Sequence, residues 1–586
     1  MRHISSILNG KPNSADTAYP RSLIFQDRGF FVSVIAFVHL ARDHLGKSHA
    51  IFPDCPAMQE ISLLNSVIGP VMRGPSSSHC AAPYMMAKVA RELSCSNGEV
   101  LKKAIVRFDP RGSFAPVYQA QSSDENFAAG FAGAALTDTD YRDILPRVTR
   151  GEGFLFAVEI VELENNNHPN RVDLELTVTE RNGADRADLY AGASVGGGMY
   201  YIDAMNGEPV FLTGKTASVF VWGPDIGARS DDIAAGLALN GNRLLGISVD
   251  PDHDRCEIAL QALPDTKLIA SLRDQDDIKD VRFAAASQYP VCATDDLFST
   301  SDAVIAVAEQ QGGSLAEAGL VLESRRLGLS RDATRELFRE RCELMLRVVA
   351  EGFDAKPEDN VMRFLTLRAR KVRDANLPAG LGGAVLQDAI AGALSAMERD
   401  SNRGLVCAAP TAGSAGVVPG TLYGLIRHGI DLDGATDALQ VMALVGAVFA
   451  ARGTFAAECG GCSVETGASA AMAAAGVAQA FGGTPVQCFD AASMCLMNTL
   501  GLVCDPVGGD VEIPCHARNV AGVSHAFSSA MAVMAGFDAV LGYDELVDQT
   551  VKIGAMMHPD LRCTARGGCA ATKTALRMVE AVTQVR

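Results

Sequence analysis

Three cysteines in one late stretch of this 586-residue chain have the type and setting to do chemistry: Cys462, Cys504 and Cys515. Cys462 closes the run Glu458-Cys459-Gly460-Gly461-Cys462. Cys504 opens Cys504-Asp505-Pro506-Val507-Gly508-Gly509, and Cys515 sits in Ile513-Pro514-Cys515-His516-Ala517-Arg518-Asn519. Two of the three lie in segments punctuated by Pro and Gly, where a backbone turns and a side chain can be aimed. Thiolates placed this way could bind an iron–sulfur cluster. They could equally be buried small hydrophobes, since free cysteine is among the most buried residue types. The intervals of 41 and 10 residues match no general ferredoxin pattern, so spacing alone does not choose between the two.

A second constellation lies near the start, in Gly69-Pro70-Val71-Met72-Arg73-Gly74-Pro75-Ser76-Ser77-Ser78-His79. A Gly-Pro turn, three hydroxyls and a histidine precede the amphipathic run Tyr84–Leu93, so the stretch reads as a loop feeding a helix N-terminus. Such a loop offers backbone N–H groups, hydroxyl donors and a helix dipole to a carboxylate. The plainer reading is N-capping by one serine. His168, in the tight turn Asn165–Asn170, is as easily a turn-stabilising side chain as a ligand. Val406–Gly420, with small residues, two prolines and two hydroxyls, marks a break between helices where backbone can approach a ligand.

The elements that must position these residues fall into four parts. Residues 1–57 form an N-terminal extension. Its apolar run Gly29–Val38 is too short to span a bilayer and has no signal-peptide cleavage pattern, so it reads as a docking segment or an upstream translation start. Residues 58–195 read as an α/β (α+β) domain, with strands at Ile105–Phe108 and Phe154–Leu163. Residues 196–290 follow a βαββαβ order: a strand at Ser218–Trp222, a turn at Gly223–Gly227, a helix at Asp231–Leu239, then strands at Ile247–Val249 and Glu257–Leu260. Residues 291–586 are all-α, with helices expected at Ser301–Gln310, Ala333–Glu351, Gly383–Arg399, Ala435–Ala451 and Gly467–Phe481, and 520–556 again helical. Gly196-Gly197-Gly198 has no dinucleotide-binding or P-loop context.

Composition narrows the function. The net charge of −18 and the lack of a basic patch with interleaved aromatics argue against a nucleic-acid partner. Fifteen cysteines, an odd number spread over a long chain, do not look like a disulfide framework. Their clustering between 407 and 515 favours a reducing, cytoplasmic setting and a metal or reactive-thiol role. A small-molecule partner is expected, with no membrane.

Four runs together resemble one family, the iron–sulfur-dependent L-serine dehydratases, over about residues 60–575. They are Gly74–His79; Ala408-Ala409-Pro410-Thr411-Ala412-Gly413-Ser414-Ala415-Gly416; Gly461-Cys462 leading into Gly467–Ala475; and Cys504–Gly509 continuing to Ile513-Pro514-Cys515 and Arg518-Asn519. The resemblance implies a multidomain chain, its middle module ACT-like and regulatory or architectural, its C-terminal domain all-α and cluster-binding. It also implies a 4Fe-4S cluster held by Cys462, Cys504 and Cys515 with one iron left open, and an amino-acid substrate. His79, Ser77 and Ser78 would be catalytic; Ser76, Thr411, Ser414, His168 and Asn170 would bind substrate. A homodimer is implied as well. The chain departs from the family where a Gly-Lys-Gly-His-x-Thr-Asp segment is usual: here Tyr118–Asp124 places Gln121 at the histidine. Cys459 is an extra thiol, and Cys563 or Cys569 would be available to cover an open iron. Other readings are β-elimination on another amino acid, such as cysteine, or a non-catalytic amino-acid sensor.

Overall fold

The computed structural model describes residues 60–239, 241–378 and 381–583. The expectations for residues 1–57 lie outside them. The N-terminal region is built on a six-stranded sheet in the order β3-β2-β4-β5-β6-β7. Its strands are β2 (Val100–Phe108), β3 (Leu155–Ile160), β4 (Arg171–Thr179), β5 (Asp185–Gly196), β6 (Met199–Met205) and β7 (Glu208–Leu212), while β1 (Val71–Arg73) belongs to a separate ribbon. Strand β4 shows why the sheet forms. Val172, Leu174, Leu176 and Val178 alternate with half-exposed polar residues, the period of a strand with one buried face. Helices Ala82–Ser94 and Ser123–Ala132 cover that face. The sheet runs on to Leu212, so the first boundary lies past the expected 195, because Gly196–Gly198 is a hairpin turn inside the sheet and not a linker.

The next unit follows the expected strand and helix order: β8 (Ala217–Trp222), helix Ile226–Leu237, β9 (Leu244–Asp250), β10 (Arg255–Leu260), helix Thr266–Arg273 and β11 (Asp280–Ala284). All its pairings are antiparallel, in the order β11-β8-β10-β9, around a core that includes Val219, Val221, Ile258 and Val281. The helix expected at Asp231–Leu239 starts five residues earlier, because Asp225 takes a left-handed conformation and lets Ile226 enter the helix directly.

Beyond residue 300 the chain is helical apart from β12 (Leu405–Cys407). Helix Leu432–Arg452 and helix Thr466–Ala480 form the centre and are almost wholly buried. Alanine and glycine on the second let its neighbours approach closely. Leu432–Arg452 is long and apolar enough to cross a membrane, yet most of it is packed inside this core. The stretch 520–556, expected to be helical, holds two helices, Cys515–Met534 and Tyr543–Met556. Gly536 sits at φ +99° between them, where a helix cannot continue.

Two backbone connections join the sheet region to the helices. Strand β1 pairs antiparallel with β12, setting Val71 opposite Cys407 and Arg73 opposite Leu405. The ribbon continues at one end, where Gly74 N donates to Gly404 O, into the Ser76–His79 loop, and at the other, where Ala408 N donates to Pro70 O, into the Pro410–Ser414 turn. At the other side, Gly196 bridges to Phe455, and Thr454 Oγ1 donates to the Val195 carbonyl at 3.2 Å.

Candidate functional site

Local chain geometry explains where each thiol points. Gly461, at φ +66°, turns the short helix Ala457–Gly460 so that Cys462 enters a single helical turn ahead of the buried helix Thr466–Ala480. Pro506 and the two left-handed glycines Gly508 and Gly509 reverse the chain after Cys504. Cys515 is the first residue of its helix. The late segment 561–563 then runs along Cys504 as a parallel bridge: Cys504 N donates to Leu561 O at 2.8 Å, and Cys563 N donates to Cys504 O at 2.9 Å. The result is a buried patch shared by Cys462, Cys504 and Cys563, with Cys515 within electrostatic range of Cys462 and Cys563. The four are only 3–7% exposed.

The charges there are out of balance. Cys462 is pulled down to about 7, first by a hydrogen bond from Cys504 and then by the Arg518 guanidinium, whose Nη1 lies 3.3 Å from the sulfur. Cys504 is held well above the usual thiol range by its sulfur neighbours Cys462 and Cys563, and then by burial. Burial and the negative neighbours Cys462 and Glu465 raise Cys515. At Cys563 the hydrogen bond from Cys504 pulls downward, but burial with Glu458 and Glu465 nearby outweighs it. Arg518 is itself paired with Asp505 at 2.7 Å. One cation therefore supports one thiolate, and the remaining thiols would ionise only beside further positive charge, such as bound metal. The donor set fits an iron–sulfur cluster: soft sulfur, buried, and short of cations. Glu465 Oε2 lies 3.8 Å from Cys462 Sγ, and Cys462, Glu465 and Cys504 form a group compact enough to hold a metal ion.

The Ser76–His79 loop joins this region through Glu458, which lies within electrostatic range of Cys563 and Glu465. Ser76 Oγ accepts from His79 N at 3.2 Å and caps the turn Ser77–Ala81, so this serine does the capping expected of one residue in the loop. His79 is wholly buried and stacks edge-on against Phe114, 4.6 Å between ring centres. Its Nε2 lies 3.3 Å from Ser113 Oγ, and that hydroxyl donates its one hydrogen to Asn170 Oδ1. Nε2 is therefore the protonated nitrogen, and Nδ1 carries the lone pair. Nδ1 faces Ser76 Oγ at 3.4 Å and Glu458 Oε1 at 3.5 Å. Burial lowers the imidazole to about 3 and also raises the Glu458 carboxyl, so the imidazole is uncharged and the contact is no salt bridge. Glu458 also takes a hydrogen bond from Asn170, while its Oε2 is buried without a partner.

The other expected site residues are placed as follows. Ser77 and Ser78 are buried in the turn beside His79. Thr411 and Ser414 bond each other at 3.0 Å as a capping box, and Thr411 also bonds Glu465. Ser414 further donates to Ala409 O, so its hydroxyl holds the turn together. His168 Nδ1 accepts from Asn170 N at 3.1 Å, and burial brings its imidazole to about 4; it orders the turn that presents Asn170. Gln121, in place of a histidine, donates to Gly509 O at 3.1 Å and approaches Cys563 Sγ at 3.8 Å. It braces the cysteine loops. Cys459 is in a disulfide. Cys569 is half-buried, and its backbone N donates to Asp505 Oδ2 at 2.6 Å. Reasoning from sequence missed Glu458, Glu465 and Ser113. The two glutamates carried a usable signal, since each sits in an Ala/Gly-rich buried run where a carboxylate is out of place.

Glycine is required at one junction. Gly196 has φ +92°, and a Cβ there would lie 2.4 Å from Ala456 N and 2.7 Å from Ala456 Cα. Ala456 leads straight into Glu458. Gly196→Ala is expected to lower the melting temperature by several degrees and to cut turnover at least tenfold by displacing Glu458 from His79. Thermal denaturation and a turnover assay check both.

The family described as serine dehydratase alpha chain matches residues 268–570, which hold all four gathered cysteines, Thr411, Ser414, Glu458 and Glu465 but not the Ser76–His79 loop. Among curated proteins, the chain is 41% identical over 196 residues to a probable L-serine dehydratase alpha chain of Bacillus subtilis, covering 33% of this chain and 65% of that protein. It is 39% identical over 201 residues to the L-serine dehydratase alpha chain of Peptoniphilus asaccharolyticus, covering 34% and 69%. It is 38% identical over 195 residues to a probable L-serine dehydratase alpha chain of Latilactobacillus sakei, covering 33% and 93%. The chain belongs to the serine dehydratase alpha-chain family.

Proposed function

We propose that this protein is an iron–sulfur-dependent L-serine dehydratase, which eliminates water from L-serine to give pyruvate and ammonia. The observation that carries the reading is the gathering of buried thiols, with a neutral histidine held against the neighbouring Glu458. Cys462, Cys504 and Cys515 would hold a 4Fe-4S cluster, with Cys563 beside Cys504. When bound, the cluster supplies a Lewis-acidic iron that eases departure of the substrate hydroxyl, which is otherwise a poor leaving group.

The chain's own residues do the rest. His79, neutral at physiological pH, accepts the Cα proton at Nδ1, its only lone pair. Ser113 and Asn170 keep the other nitrogen protonated and the ring oriented. Glu458 faces the nitrogen that takes the proton, where a carboxylate would stabilise the imidazolium. The Ser76–Ser78 hydroxyls and the turn N–H groups suit the substrate carboxylate. Thr411 holds Glu465 toward Cys462, and Arg518 offsets negative charge at the thiols. Loss of the proton and of hydroxide leaves an enamine, which tautomerises and hydrolyses to pyruvate and ammonia. The βαββαβ unit is read as an ACT-like module and the working form as a cytoplasmic homodimer.

Protein purified without oxygen should make pyruvate and ammonia in equal amounts from L-serine with no added pyridoxal phosphate. Faster release of sulfide from L-cysteine would instead favour a desulfidase, and the lack of turnover on either would favour a sensor.

A further inference from the structure

A cavity of about 320 Å³, with none of the four gathered cysteines in its lining, lies beneath β1, between helix Ala82–Ser94 and the segment 286–289 that leaves β11. Its size is at the lower end of small-molecule pockets, roughly 300–1,000 Å³. Two guanidiniums line it. Arg341, buried, donates to Ile68 O and lies 3.4 Å from Cys407 Sγ. Arg73, half-buried, donates to Leu136 O and Asp138 O and stacks on the Tyr141 ring. Among the described residues, neither has a carboxylate side chain within ion-pair distance. One polar group there is unsatisfied. Gln288 Oε1 is buried with no partner, and its Nε2 has only Met85 Sδ at 3.9 Å. The remaining wall is apolar, with Leu64, Met72 and Met85 on it.

A buried acceptor left without a partner, and cations held without a counter-charge, cost free energy that a complementary ligand recovers. The two guanidiniums call for a carboxylate, Gln288 Oε1 for an N–H donor, and the wall for a small apolar body. We propose that this cavity binds an α-amino acid with an apolar side chain. A bare inorganic anion would leave Gln288 and the wall unmet. The site is placed to act as an effector site. Met72 and Arg73 belong to β1, which runs into the Ser76–His79 loop and pairs with β12 ahead of Thr411. Arg341 touches Ile68 and Cys407, on either side of the same ribbon.

Isothermal titration of the full chain with L-leucine, L-valine, L-methionine and L-phenylalanine tests this, with L-serine, D-leucine and sulfate as comparisons. At least one apolar L-amino acid should bind one per chain, more tightly than L-serine or sulfate. Arg73→Met and Gln288→Met should each weaken that binding at least tenfold while leaving ligand-free turnover within twofold. If Arg73→Met melts early, Gln288→Met alone carries the comparison. Because the readout is heat of binding, it stands whether or not the chain dehydrates serine. The proposal is overturned if none of the four binds, if binding is indifferent to Gln288→Met, or if sulfate binds as tightly as the amino acids.

Discussion

Cys504→Ser should abolish both iron binding and turnover while leaving the fold intact. Cys504 is the hub of the thiol group: its sulfur interacts with Cys462 and with Cys563, and its backbone anchors segment 561–563 through both N–H and C=O. Serine differs by one atom and keeps those backbone bonds, so the melting temperature of metal-free protein should change little. A hydroxyl is a far poorer ligand for iron than a thiolate. Turnover should fall below about a thousandth of the native value, a barrier increase of roughly 4 kcal/mol. Iron analysis, visible absorbance and pyruvate formation read the result. A variant that kept cluster and activity would remove Cys504 from the ligand set.

His79→Ala should separate chemistry from cofactor loading. It removes the lone pair facing Glu458 but touches no thiol, so iron content should match the native protein while kcat falls about 10²–10⁴-fold, the usual worth of a positioned general base. The pH profile gives a second readout. Burial brings His79 down from 6.5 to about 3, so the imidazole is already unprotonated across the neutral range. As pH falls, the base is lost only on approaching that lowered value. The kcat profile should therefore lack an acid limb near 6.5. A limb there would mean that His79 is solvated and charged in the working enzyme. Unchanged kcat in His79→Ala would take it out of the mechanism.

How much of this was legible in the chain differs by feature. Helices with strong 3.6-residue patterning, such as Ser301–Gln310 and Gly383–Ser401, and the βαββαβ order over 217–284 follow from local periodicity and lie close to where the sequence places them. A boundary failed where backbone conformation outweighed pattern: Asp225 in the left-handed region starts a helix early. At the site, Cys462, Cys504 and Cys515 announce themselves by their Pro/Gly settings. Cys563 does not, because its place depends on segment 561–563 pairing with Cys504, a tertiary contact with no local signature. The polar residues divide in the same way. Thr411 and Ser414 were read as ligand-facing, whereas the folded turn joins them in a capping box with each other. Gln121 was legible as a missing acid/base group, but its bracing of Gly509 and Cys563 was not. Glu458 and Glu465 lacked a recognised motif, although a carboxylate within a buried, Ala-rich stretch marks a position where function outweighs desolvation cost.

The most direct measurement of the central claim is Mössbauer spectroscopy of iron-57-labelled protein, purified without oxygen, before and after L-serine is added. The account predicts four irons per chain, three with unchanged parameters and one whose signal shifts on adding substrate, in a sample that produces pyruvate. Pyruvate formation by protein without iron, or four irons that all stay unchanged during turnover, would contradict it.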